Sequence, residues 1–156
     1  MTDLVGFLTA RWDEDEAMAR AAIEKSAGVG VYGEQDRTGR WRATTDGIYA
    51  DTPYSNGPFA VGTYEHLDKE VGAYIAAYDP SRVLADIAAK RRMLAELVPM
   101  IETLEEIDEL ASNAVLPAEY CGAIGRDRSA STRLLRLLAA PYAEHPGFDP
   151  AWRTDD

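Results

Sequence analysis

The sequence predicts an α+β fold that is mostly α: a three- to four-helix bundle with a small antiparallel β-hairpin or sheet inserted after the first helix. Three observations carry this. Apolar residues recur at helical spacing over residues 3–26 and again after residue 65. Between them, residues 27–64 are rich in glycine, contain Pro53 and Pro58, and hold short aromatic and β-branched runs. A proline-rich tail, PYAEHPGFDPAW, follows the last apolar segment. One globular domain over 1–156 is expected, with a helix over 1–26, a sheet and loops over 27–64, helices over 65–140 and a C-terminal strap over 141–156.

The first helix is read from Asp3 as N-cap, with Leu4, Leu8, Trp12, Ala19, Ala22 and Ile23 on one stripe and an end near Ser26. Its other face carries Asp13, Glu14, Asp15 and Glu16. Calcium would need glycine and further oxygen ligands at loop spacing after them, and none follows, so a solvated face is expected. In RWRATTDGIYADT the pair Asp46-Gly47 is a favourable hairpin turn, because glycine accepts a positive φ that strains other residues. FAVGTY, from Phe59 to Tyr64, is expected to add a third strand.

Helical periodicity returns in EHLDKEVGAYIAAY and, past Asp79-Pro80, in a longer segment. Asp79 as N-cap with Pro80 at the first helical position is a start with a mechanism: the carboxylate accepts a free amide, and proline has none to leave unpaired. Val83, Leu84, Ile87, Leu94, Leu97, Ile101 and Leu104 continue the stripe. Pro99 interrupts it, and a helix-interior proline costs about 3 kcal/mol, so a kink or break is expected near Val98. A weaker helical stretch around Tyr120 and then SASTRLLRLLAA follow, with Ser129 or Ser131 as cap. Pro141 is expected to stop the last helix, and the tail to return extended across the surface with Tyr142, Phe148 and Trp152 as anchors.

Bulk properties narrow the function. A chain of 156 residues can bury a sizeable core without staples. Sixteen basic against 27 acidic side chains give a formal net charge of -11, which repels polyanions and argues against nucleic acid as a partner. The single Cys121 cannot form an intramolecular disulfide, and MTDLVGFLTARWDEDE lacks the layout of a signal peptide, so a cytoplasmic setting is expected. Charged residues interrupt every apolar run before it reaches spanning length, so no membrane insertion is expected.

Tested motifs yield no catalytic centre. GVGVYG, Gly28 to Gly33, matches G-x-G-x-x-G in spacing alone; no strand leads into it and no helix leaves it, so a connection into the hairpin is the better reading. His66, His145 and Cys121 are not at paired zinc-ligand spacing, and neither metal nor cofactor is expected. Cys121 lacks the setting of a thiol nucleophile, and no G-x-S-x-G, P-loop or H-E-x-x-H motif occurs. In ETLEEIDEL the residues Glu102, Glu105, Glu106, Asp108 and Glu109 mostly face solvent.

Two basic groups interrupt the acidic background: Lys90, Arg91 and Arg92, and the set Arg126, Arg128, Arg133 and Arg136. They can form an anion-binding surface or pair with the acidic helices; pairing is the favoured expectation, since the overall field repels polyanions.

DLVGFLTARWDEDEAMARAA, GRWRA, YDPSRVLADIAAKRRMLAEL and LLRLLAAPYAEHPGFDPAW resemble a family of small actinobacterial and actinophage proteins classed as a domain of unknown function. The most specific parts are Asp79, Pro80, Arg82, Val83 and Leu84, and the P-Y-A-x-H-P tail; residues 98–128 match poorly. The resemblance implies a bacterial or phage setting and brings no activity or cofactor.

The leading functional expectation is a non-catalytic interaction or regulatory protein with a protein partner, able to act as a homodimer. Its surface is sought along Arg82, Lys90, Arg91 and Arg92 or around Trp41. The alternative is a small-molecule or nucleotide binder, or an enzyme, with Trp41, Tyr49, Tyr142, His145 and Trp152 lining a pocket between sheet and helices. A DNA-binding regulator using the arginine-bearing last helix ranks third.

Overall fold

The computed structural model describes residues 2–26, 39–44, 47–50, 59–63, 68–113 and 118–154. The elements run α1 (Thr2–Ser26), β1 (Trp41–Ala43), β2 (Gly47–Ala50), β3 (Phe59–Thr63), α2 (Lys69–Ala77), α3 (Pro80–Asn113) and α4 (Ala118–Ala139), then short 3-10 turns at Ala140–Tyr142 and Pro150–Trp152. The fold class is as expected: mostly α, four helices with a small antiparallel sheet after the first. GVGVYG and His66 lie outside the described residues. The chain divides into two compact units, one of Met1–Arg11 with Ala89–Asp156, the other of Trp12–Ala88.

In the unit Trp12–Ala88 the sheet has the order β1-β2-β3, all antiparallel. Trp41 opposes Ala50 and Ala43 opposes Ile48, while Arg42 opposes Tyr49. Side chains alternate along a strand, so Trp41, Ala43, Ile48 and Ala50 share one face and Arg42 and Tyr49 the other. Burial follows the split: Ile48 and Ala50 are buried and Arg42 is exposed. The Thr44 N–H donates to the Gly47 carbonyl at 2.8 Å, which ties the end of β1 to the start of β2. Asp46 of the expected Asp46-Gly47 turn lies outside the described residues, and Gly47 is the first residue of β2 with no positive φ. α2 packs on β1 and β2, with Gly72 and Ala76 buried on it.

Asp79 joins helix to sheet in this unit. Its Oδ1 accepts from the Arg82 N–H at 2.8 Å and from the Ser81 hydroxyl at 2.9 Å, and its Oδ2 accepts from the Trp41 N–H at 3.3 Å. The expected cap of α3 thus also holds the start of β1. Beside it the Ser81 N–H donates to the Gly39 carbonyl at 3.1 Å. Gly39 has φ +68, and a Cβ there would lie 2.7 Å from Ile23 Cδ1 and 3.3 Å from the Ser81 nitrogen. Both the backbone angle and the close approach require glycine.

In the unit of Met1–Arg11 with Ala89–Asp156, the core is built from Leu4, Leu8, Leu97, Ile101, Ala111, Leu135, Ala139 and Phe148, with Leu8, Ile101 and Leu135 fully buried. Burying each such side chain contributes about 1.5–3 kcal/mol. Phe7 on α1 is the anchor for the tail. Its ring meets Tyr142 at 6.2 Å, His145 at 5.7 Å, Phe148 at 6.0 Å and Trp152 at 5.1 Å between centroids.

Several local expectations are corrected. Asp3 lies in the first turn of α1, where its charge favours the helix N-terminus, instead of at the N-cap. α2 begins at Lys69, capped by Asp68, which accepts from the Glu70 N–H at 2.9 Å. α3 is not broken at Pro99 but runs on to Asn113. Pro99 and Ala95 are exposed, so the ring and the carbonyl it deprives of a partner meet solvent, while buried Leu97 and Ile101 hold the helix on either side. The last two helical stretches are one helix, α4. Ser129 and Ser131 do not cap it; their hydroxyls donate back to the carbonyls of Gly125 at 2.8 Å and Asp127 at 2.9 Å. The tail is made of consecutive turns rather than an extended return.

Candidate functional site

Helix α4 places residues four apart on one line. Arg128, Thr132 and Arg136 form such a line, and Ser129 with Arg133 forms the line beside it. The tail supplies the remaining lining residues, Arg153 and Thr154. Asp149 caps the turn Pro150–Trp152 by accepting from the Ala151 N–H at 2.9 Å, and the Trp152 ring leans on Phe7. These two contacts hold the tail so that Arg153 and Thr154 meet α4. The result is a groove of about 440 Å³ lined by Arg128, Ser129, Thr132, Arg133, Arg136, Arg153 and Thr154.

Among the described residues every lining side chain ends in a guanidinium or a hydroxyl. Arg128 donates to Asp108 Oδ2 of α3 at 2.9 Å. Pairing with the acidic helices, expected for the whole arginine set, is therefore seen at Arg128. Among the described residues, no carboxylate pairs with Arg126, Arg133, Arg136 or Arg153. Arg126 is not part of the lining. Ser129 spends its proton on the Gly125 carbonyl, so Thr132 and Thr154 are the hydroxyls able to donate into the groove. An arrangement of fixed positive charges and hydroxyl donors holds oxyanions, with Arg forks giving the directional part of the contact. Among the described residues its lining holds no base or thiol to activate a nucleophile.

The other sequence-predicted residues fall elsewhere. Arg82 is exposed; its guanidinium lies 4.4 Å from the centroid of the Tyr78 ring and donates to the Ala77 carbonyl at 3.0 Å. Lys90 and Arg91 are half-buried and each engages another group, while Arg92 is exposed. Trp41 is half-buried, and its indole N–H, like that of Trp12, is buried with no acceptor among the described residues. Trp41 and Tyr49 stand on opposite faces of the sheet. Tyr142, His145 and Trp152 converge on Phe7. His145 Nε2 receives Arg11, whose guanidinium only donates, and His145 Nδ1 lies 3.0 Å from the Gly147 N–H. A neutral imidazole has one lone pair to accept with, so it serves one of these donors at a time. Cys121 is a half-buried free thiol.

Sequence reasoning singled out Arg128, Arg133 and Arg136 but missed Ser129 and Thr132 as lining residues, and Arg153 and Thr154 altogether. The spacing of Arg128, Thr132 and Arg136 is a readable signal. The contribution of Arg153 and Thr154 depends on the tail docking on Phe7, which leaves no local mark.

Among the described residues no group of histidine, cysteine or carboxylate side chains is arranged to hold a metal ion. None of their helices is long and apolar enough to cross a membrane. No curated protein and no solved structure matches the chain. The model of the Family of unknown function (DUF6221) matches residues 1–154, nearly the whole length, and the chain belongs to that family.

Proposed function

We propose that this is a non-catalytic interaction or regulatory protein, in a bacterial or phage setting, that works by capturing an oxyanion-bearing partner in the groove between α4 and the tail. One observation carries the reading. In a chain of net charge -11, Arg133, Arg136 and Arg153 line one groove with no carboxylate partner among the described residues. Like charges held together raise the energy of the empty groove, and a bound anion relieves that repulsion. Acidic surroundings would neutralise such a cluster by simple pairing, as Asp108 does for Arg128.

The groove chemistry supports binding over catalysis, since guanidinium and hydroxyl groups position and neutralise an anion but none of those present is a proton acceptor near neutral pH. Titration of isotope-labelled protein with sodium sulfate, against sodium chloride at matched ionic strength, tests the reading. Saturable amide shifts confined to Arg128–Arg136 and Arg153–Thr154 are expected. Shifts that are absent, or spread over the surface without saturation, count against it.

A further inference from the structure

We infer that the groove is built for a diphosphate group, so that the ligand is a compound carrying two linked phosphoryl groups; this rests on the oxyanion-binding reading above. Charge is the first argument. Arg133, Arg136 and Arg153 bring three positive charges with which no carboxylate among the described residues forms an ion pair, and Arg128 brings a fourth already met by Asp108. A single phosphomonoester carries about -1.5 to -2 at neutral pH, which leaves at least one of the three guanidinium charges unmatched. Two linked phosphoryl groups come close to matching all three.

Shape is the second. The donors approach from two walls, Arg133, Arg136 and Thr132 from α4 and Arg153 and Thr154 from the tail. A carboxylate is planar, with two oxygens in one plane, and is satisfied by a single arginine fork. A diphosphate presents oxygens in all directions about two tetrahedral centres, which suits donors that come from two separate elements. The volume of about 440 Å³ lies in the range of small-ligand sites and exceeds what one tetrahedral anion fills.

The lining also says what the groove does not grip. Among the described residues its lining holds no aromatic or aliphatic side chain, so an apolar part of a ligand has no surface to bury against and projects into solvent, and a heterocyclic part meets only guanidinium planes. Recognition is then of the diphosphate itself, with little discrimination among the groups attached to it.

Calorimetric titration of the full chain with inorganic pyrophosphate, orthophosphate and citrate, at matched ionic strength, tests this. One pyrophosphate per chain is expected, bound about tenfold or more tighter than either orthophosphate or citrate. Arg133→Gln or Arg136→Gln, on an exposed or half-buried helical position, is expected to weaken pyrophosphate about tenfold or more, the usual loss for one charge-assisted contact. Citrate or orthophosphate binding as tightly as pyrophosphate, with the same sensitivity to these variants, would overturn the diphosphate inference and leave the oxyanion groove standing. No binding of any of the three would overturn the groove reading as well. Pyrophosphate binding indifferent to both variants, with each shown to be folded by circular dichroism, would place the anion elsewhere and overturn both.

Discussion

Replacing Asp79 separates two jobs that one carboxylate does. In Asp79→Ala the Arg82 N–H at the start of α3 loses its acceptor, which for an N-cap costs about 1 kcal/mol, with a range of about 0.5–2. The part-buried Trp41 N–H loses Oδ2 as well; its bond is long at 3.3 Å, and a further loss of about 1 kcal/mol is expected. The sum is about 2 kcal/mol. Asp79→Asn keeps an oxygen for the Arg82 N–H, and asparagine caps as well as aspartate does, but turns an amide nitrogen toward Trp41. It should cost about 1 kcal/mol, half the alanine value. Urea unfolding followed by tryptophan fluorescence measures both; at a slope of about 2 kcal/mol per molar, the midpoints should fall by about 1 M and 0.5 M. An Asp79→Ala midpoint unchanged from wild type, or an Asp79→Asn loss equal to it, would refute the argument that this side chain both caps α3 and holds β1.

Other predictions follow from single contacts. Gly39→Ala should destabilise by about 1–3 kcal/mol in urea unfolding, because the positive φ resists a side chain and the new Cβ meets Ile23 and the Ser81 nitrogen; a neutral result would contradict the close approach. Phe7→Ala should cost about 3 kcal/mol by thermal or urea unfolding and also weaken anion binding, since the ring that anchors Trp152 holds Arg153 at the groove. A hydrogen bond shared with the Glu70 carboxyl while that group carries a proton, then those from the Glu70 and Val71 N–H groups, hold the Asp68 carboxyl below its ordinary value of 3.8, against the opposing effect of desolvation. A depressed folded-state value stabilises the folded chain above pH 3.8 and the benefit is lost as pH falls through the lower, folded value. Asp68→Ala should therefore flatten the acid limb of the stability profile, and an unchanged limb would remove Asp68 as a contributor.

Legibility in the sequence tracked how local the physics is. The Asp79-Pro80 start of α3 could be read because a carboxylate one residue before proline has a definite use at a helix N-terminus. The α1 stripe could be read because Leu4, Leu8, Trp12 and Ala19 recur at helical spacing, and all four are buried. Pro99 misled because the cost of a missing hydrogen bond is local, whereas the burial of Leu97 and Ile101 that outweighs it is not. Ser129 and Ser131 misled because one hydroxyl can cap a new helix or bond back to its own, and only the continuity of α4 decides which. The strand pairing expected on either side of Asp46-Gly47 is present, with Ala43 opposite Ile48, because the short aromatic and β-branched runs flanking it alternate locally.

The groove was half legible. Three of its arginines share neighbouring lines of α4, and composition alone suggested that acidic helices would neutralise them. Asp108 reaches Arg128, but among the described residues no acid reaches Arg133 or Arg136. Net charge reports the sum over a chain and not how closely each acid approaches each base. Arg153 and Thr154 enter through the docking of an aromatic tail on Phe7, a contact between the two ends of the sequence.

The most direct test of that groove is a crystal structure of the full chain grown with tungstate, whose anomalous signal locates the anion without reference to the protein phases. Tungstate bound in this groove, within hydrogen-bond distance of guanidinium groups among Arg133, Arg136 and Arg153, is predicted. Well-ordered tungstate at other sites, with this groove empty and unobstructed by neighbouring molecules, would contradict the account.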